Sequence, residues 1–203
     1  MTRAAATRES ADVRRQSLIE ATAASLAQVG VAGTSVRAIC ARAGVSPGLL
    51  RHYFDGVDAL IVATYREVAA RVSRTLAEAA DAAGPDPRTR LIGFLTASFR
   101  APIADASLLA TWLAFWSLVK TRPAIAEVHR RTYDDYRAEL ETLLEGCGVA
   151  RAEAGPAAIA LTALVDGLWL ELSLDPATFS AEEARAMAVR WLDAQLEAPR
   201  LSG

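Results

Sequence analysis

Cysteine is nearly missing from this sequence. Its 203 residues hold only Cys40 and Cys147, far apart and without a Cys or His partner at metal-ligand spacing, so neither a disulfide framework nor a zinc site is indicated. A reducing, cytoplasmic setting is expected. Aromatic residues make up 6% of the chain, and the β-branched and aromatic runs that mark strands are wanting, which favours helices throughout. Long apolar runs are scarce too: the longest uncharged ones, Ala106 to Val119 and Ala154 to Val165, fall short of the about 18 residues needed to cross a bilayer. Residues 1–12 carry charges and no apolar segment of the kind a signal peptide uses, so neither export nor a membrane partner is expected. No nucleophile–base spacing, phosphate-cradling glycine loop or metal-ligand cluster stands out, which argues against an enzyme and gives no reason to expect a cofactor.

What the chain does have is apolar residues, 52% of the total, with Ala, Leu and Arg abundant. Its length suits one large domain or a small domain fused to a larger one. The net charge of −2 hides an asymmetry. Met1 to Phe54 holds seven arginines against Glu9, Asp12 and Glu20, a net +4, whereas Leu76 to Gly203 holds twelve basic and eighteen acidic residues, a net −6. The front end therefore suits a polyanion, although a solvated Arg-rich helix would show the same excess.

Residues 1–10 lack apolar periodicity and are expected to form a disordered basic arm. From Asp12 to Val29, Leu18, Thr22, Leu26 and Val29 fall on one helical stripe, and Gly30 is expected to end the helix. A short second helix follows, with Thr34 or Ser35 as N-cap, Val36, Ile39, Cys40 and Ala43 turned inward, and Gly44 as its stop. Ser46 then caps a third, Pro47 to Tyr53, with Pro47 at the first position, where a missing amide hydrogen costs nothing. Beyond Asp55-Gly56, Leu60, Thr64, Val68, Val72 and Leu76 repeat every four residues along one long helix. Five more helices are predicted between Gly84-Pro85 and Leu196, punctuated by Pro102, Pro123, Gly146, Gly148 and Asp175-Pro176. The fold class is thus all-α, about nine helices.

Two short helices joined by Gly44-Val45-Ser46 and packed on a longer first helix make a helix-turn-helix, whose second short helix enters the DNA major groove. Gly44 permits the turn and Val45 plugs the angle between the helices. A generic three-helix packing unit would use similar residues. The stretches Ser17 to Thr22 and Thr34 to Phe54 go further: they closely resemble the N-terminal signature of the TetR family of transcriptional regulators. That resemblance covers about a quarter of the chain. It implies a homodimer bound to double-stranded operator DNA through residues 1–56, with residues 57–203 forming a helical effector-binding and dimerisation domain. It also implies a repressor released by a small molecule.

Carried over residue by residue, the resemblance makes Thr34 or Ser35 a phosphate contact and puts Ser46, Pro47, Gly48, Leu49, Arg51, His52 and Tyr53 on the DNA-facing helix. Each has a plainer alternative: Ser35 and Ser46 as caps only, Gly48 as a close-packing residue, and Leu50 and Phe54 as core. His52 has no carboxylate or nucleophile near it in sequence, so donation to phosphate suits it better than catalysis. Arg51 stands where the family commonly has an aromatic residue, and Val57 where it has a lysine. Arg51 can read guanine or hold phosphate, and Val57 removes one phosphate charge.

In the second half, Trp112 and Trp116 share a helical face with Phe115 beside them, and a later run carries Asp166, Trp169 and Glu171. Such residues are usually core. Trp112 to Trp116 and Leu164 to Trp169 are nonetheless similar to segments of the choline-responsive, BetI-like betaine repressor subgroup of the same family. The implied ligand-binding set is Trp112, Phe115, Trp116, Asp166 and Trp169, with a quaternary ammonium such as choline as one candidate effector. Aromatic faces would attract its diffuse charge by about 0.5 to 2 kcal/mol per contact. The last two helices are expected to form the dimer interface. The main alternative is a small-molecule binding protein without operator activity.

Overall fold

The computed structural model describes the backbone of residues 3–197 and the side chains of residues 11–197 other than Ser173. Among the described residues there are nine helices and no strand: α1 (Arg3–Gly33), α2 (Val36–Ala43), α3 (Pro47–Tyr53), α4 (Gly56–Ala82), α5 (Pro87–Ala97), α6 (Ala106–Val119), α7 (Pro123–Gly146), α8 (Arg151–Leu174) and α9 (Ala181–Glu197). They group into two compact units, one made of residues up to Ala70 with Ala110–Arg130, the other of Arg71–Leu109 with Arg131 onward.

In the first unit α1 begins at Arg3, so the backbone expected to be a disordered arm is helical. Ala, Arg and Glu dominate that stretch, and they are strong helix formers that need no apolar stripe. Leu18, Thr22 and Leu26 are buried as their spacing requires, but Val29 is 54% exposed. The reason is Gly30, whose φ of 63° and ψ of −170° break the helix there. Val29 folds over the resulting kink against Gly33, where an added Cβ would come within 2.6 Å of the Val29 Cβ.

Helices α1, α2, α3 and the start of α4 share one core of Leu18, Ile19, Ala21, Ile39, Cys40, Leu50, Phe54 and Leu60. Val36, Ala43 and the turn residue Val45 pack against it half-buried. Gly44 closes α2 at φ 66°, a left-handed conformation that other residues reach only with strain, and its N–H donates to the Cys40 carbonyl. Burial pushes the Cys40 thiol up.

In the second unit, α5 starts on Asp86, whose carboxylate accepts the Thr89 N–H at 2.9 Å, followed by Pro87. Gly93 lets α5 press on α4: a Cβ there would sit 2.7 Å from the Ala79 carbonyl oxygen. At the start of α9, Ser180 and Glu183 each accept the other's backbone N–H, a reciprocal capping box. Helix α8 leaves Ile159 59% and Leu174 67% exposed. By length and composition alone, Arg151–Leu172 is apolar enough to cross a membrane, although its longest uncharged run, Ala154–Val165, is not. Glu153 and Asp166 interrupt the uncharged run there without lowering the average hydropathy enough to fail that test.

Candidate nucleic-acid interface

The short helix α3 is set by its own sequence. Ser46 accepts the Leu49 N–H at 3.3 Å, Pro47 occupies the first helical position, and Phe54 closes the helix by donating its N–H to the Leu50 carbonyl. Leu50 and Phe54 turn into the core. The opposite side shows Ser46, Pro47, Gly48, Arg51 and His52 to solvent, with Leu49 and Tyr53 half-buried at its margins. Tyr53 packs against the core and meets the His52 ring edge-on, centroids 5.0 Å apart. Gly48 is not a close-packing residue within the chain, because a Cβ there would meet nothing nearer than Ser46 Oγ at 3.8 Å. Arg51 has no acidic partner among the described residues.

The two candidates before α2 separate cleanly. Ser35 is the N-cap, accepting the Ala38 N–H at 3.2 Å, and it is exposed. Thr34 instead turns inward: its hydroxyl donates to the Gly30 carbonyl at 2.8 Å and lies 3.1 Å from that of buried Ser25.

The residues proposed for a ligand fall in both units. In the first, Phe115 is fully buried and stacks on Tyr65 of α4 at 4.4 Å, while Trp112 meets Tyr65 edge-on at 5.2 Å. Trp116 is tilted against Trp112 at 6.5 Å, and its buried indole nitrogen has no hydrogen-bond partner among the described residues. The Tyr65 hydroxyl lies 2.9 Å from Nδ1 of His129 on α7. This segment is fastened to α1 and to the start of α4 in the same unit, since Thr111 donates to the Ala23 carbonyl of α1 at 3.4 Å and Arg122 pairs with Asp58 of α4 at 2.5 Å.

In the second unit, Asp166 is mostly withdrawn from water and accepts a hydrogen bond from Tyr133 on α7. Burial pushes its carboxyl up to about 6, against the opposing pull of the Tyr133 hydroxyl and the Arg137 charge. The buried Tyr136 hydroxyl has no hydrogen-bond partner among the described residues, and its pKa is raised by burial and by the Asp166 charge. The Trp169 indole nitrogen, on the same helix as Asp166, is likewise buried and unpartnered among the described residues. Tyr65, His129, Tyr133 and Tyr136 were not singled out by the sequence. Only the last two left a local sign, a spacing of three that puts both on one face of α7.

The family model for bacterial regulatory proteins of the tetR family matches residues 18–64, and the model for the C-terminal domain of BetI-type transcriptional repressors matches residues 87–197. The chain belongs to the TetR family. It is 34% identical over 186 residues to the HTH-type transcriptional regulator BetI of Paraburkholderia xenovorans, covering 90% of this chain and 93% of that one. A transcriptional regulator of Pseudomonas aeruginosa PAO1, of known structure, superposes with a TM-score of 0.84 at 46% identity over 92% of both chains. A regulator from Saccharomonospora viridis, solved in complex with choline, has the same fold, with a TM-score of 0.77 at 18% identity over 88% of this chain and 95% of that one. As a TetR-family chain with a BetI-type C-terminal domain, the protein is a transcriptional regulator and not an enzyme.

Proposed function

We propose that this TetR-family chain is a cytoplasmic, homodimeric repressor that holds double-stranded operator DNA through α3 and lets it go when a small molecule binds. The observation that carries the DNA reading is the open face of α3. It presents Ser46, Pro47, Gly48, Arg51 and His52 outward from a helix whose other side is locked into the core. Leu49 and Tyr53 lie half-buried at the margins of that face, and of Thr34 and Ser35 before α2 the exposed Ser35 is the better placed for a phosphate. Residues 1–56 serve as the DNA-binding part and residues 57–203 as the effector-binding and dimerising part. The exposed apolar side of α8, including Ile159, is proposed to be covered by a second copy.

The effector is proposed to be a small cation. Two groups support that reading, each in its own unit: the aromatic residues Trp112, Phe115 and Trp116, and the carboxylate of Asp166 with Trp169 one turn along α8. Choline, bound by the Saccharomonospora viridis regulator, is the natural first probe. A ligand shifts the protein only by its differential affinity for two states. The Thr111–Ala23 contact gives α6 a direct hold on α1 of the DNA-binding part, and the Arg122–Asp58 pair ties the α6–α7 turn to the first turn of α4, the helix that follows α3. The test is fluorescence anisotropy on labelled DNA from upstream of the protein's own gene. Binding tighter than to an unrelated duplex, relieved by choline, supports the whole reading. Equal affinity for both duplexes refutes operator recognition, and tight binding indifferent to choline refutes this effector.

A further inference from the structure

Arg15 lies on α1, outside the helix-turn-helix itself. Its guanidinium carbon sits 5.2 Å from the centroid of the Phe54 ring. Phe54 is the residue that closes α3, and it is buried in the core, so it offers a fixed platform at the C-terminal end of the recognition helix. The last turn of α3 carries Arg51 and His52, both exposed. Val57, in the first turn of α4, packs against the core and brings no charge to this junction.

Among the described residues the Arg15 charge is not answered by a carboxylate. The residue is exposed. Glu20, on the same helix, takes its hydrogen bond from Gln16 instead. A guanidinium laid on an aromatic face keeps its N–H edge free and loses less freedom on gripping an anion than a loose side chain does. Bidentate contact with phosphate suits that planar edge.

We propose that Arg15 is an anchor for the DNA phosphate backbone, held in place by Phe54 at the end of α3. The inference rests on the DNA-binding reading above and adds to it a contact from α1. A phosphate contact carries no sequence information and releases one counterion, whereas a packing role touches neither property.

The test compares R15Q, R15K and R15M with the unsubstituted protein by fluorescence anisotropy, over a salt series, on upstream DNA and on an unrelated duplex of equal length. R15M keeps an apolar stem on the ring, so it serves if R15Q does not fold. Both neutral variants are expected to lose affinity by the same factor on the two duplexes, and to flatten the slope of log K against log salt by about 0.9 per protomer. R15K is expected to keep the slope and bind more weakly, having the charge without the planar fork. An unchanged slope in the neutral variants overturns the proposal, whatever happens to the melting temperature, and so does a loss confined to the upstream DNA. Absence of salt-dependent binding by the unsubstituted protein defeats the DNA-binding reading itself, and the inference with it.

Discussion

Tyr133 donates a 2.9 Å hydrogen bond to Oδ2 of Asp166, tying α7 to α8 in the second unit. Arg137, 6.0 Å from the Tyr133 ring centroid, adds a favourable charge. Even so, burial outweighs both and pushes the Asp166 carboxyl up to about 6. A charge kept where the fold disfavours it calls for a reason, and a cationic ligand would supply one.

The consequence for stability has a definite sign. The folded-state carboxyl takes its proton more readily than an ordinary aspartate, whose pKa is 3.8, so the stabilising contribution is complete below about that pH and is lost as pH rises through about 6. D166N, which keeps an acceptor for Tyr133, should therefore be more stable than the parent at pH 8, by up to about 3 kcal/mol. The gap should close near pH 4. Urea unfolding of both proteins across that range is the check, and a gap independent of pH would contradict it.

Ser35 has two roles to separate. S35A should lower stability by about 1 kcal/mol through loss of the cap on Ala38 N–H, and S35G by only a few tenths. If Ser35 also holds a phosphate, S35G should weaken binding to every duplex alike. Unchanged DNA affinity in S35G would leave Ser35 a cap alone.

Arg51, exposed and unpaired among the described residues, should behave as a base reader. R51A is expected to weaken operator binding by about 1 to 3 kcal/mol and to affect unrelated DNA less. An equal loss on all sequences, with a salt slope flatter by about one per contact, would make it a phosphate anchor instead.

Trp116 should answer to the effector and not to DNA. W116A is expected to weaken choline binding while leaving operator affinity of the ligand-free protein unchanged. Calorimetric titration with choline and with its uncharged isostere 3,3-dimethylbutanol separates charge from apolar filling. Equal affinity for both compounds would defeat a cation site.

The helices were legible because their signals are local. Ser46-Pro47 starts α3, Gly44 ends α2, and Gly30 breaks α1 where the spacing placed them. Val29 went astray because a periodic stripe assumes that the helix continues, and the backbone departs at the next residue. The start of α1 was missed because residues 3–10 form helix by propensity, without a stripe. In the candidate sites, Leu50 and Phe54 could be told from the outward residues by register alone. The Tyr65–His129 and Tyr133–Asp166 pairs could not, being 64 and 33 residues apart in sequence. Such meetings are set by how helices cross, which no short window records. Thr34 and Ser35 were likewise interchangeable in sequence, and only the kink at Gly30 offers the carbonyl that draws Thr34 inward.

Two copies of α3 are expected to read one DNA site together. Sedimentation of the protein with a labelled duplex from upstream of its own gene tests it most directly. The predicted result is two 21.6 kDa chains per duplex on an imperfect palindrome whose half-sites are centred about 34 to 36 Å apart. A single chain bound to a lone half-site with the same affinity would contradict it.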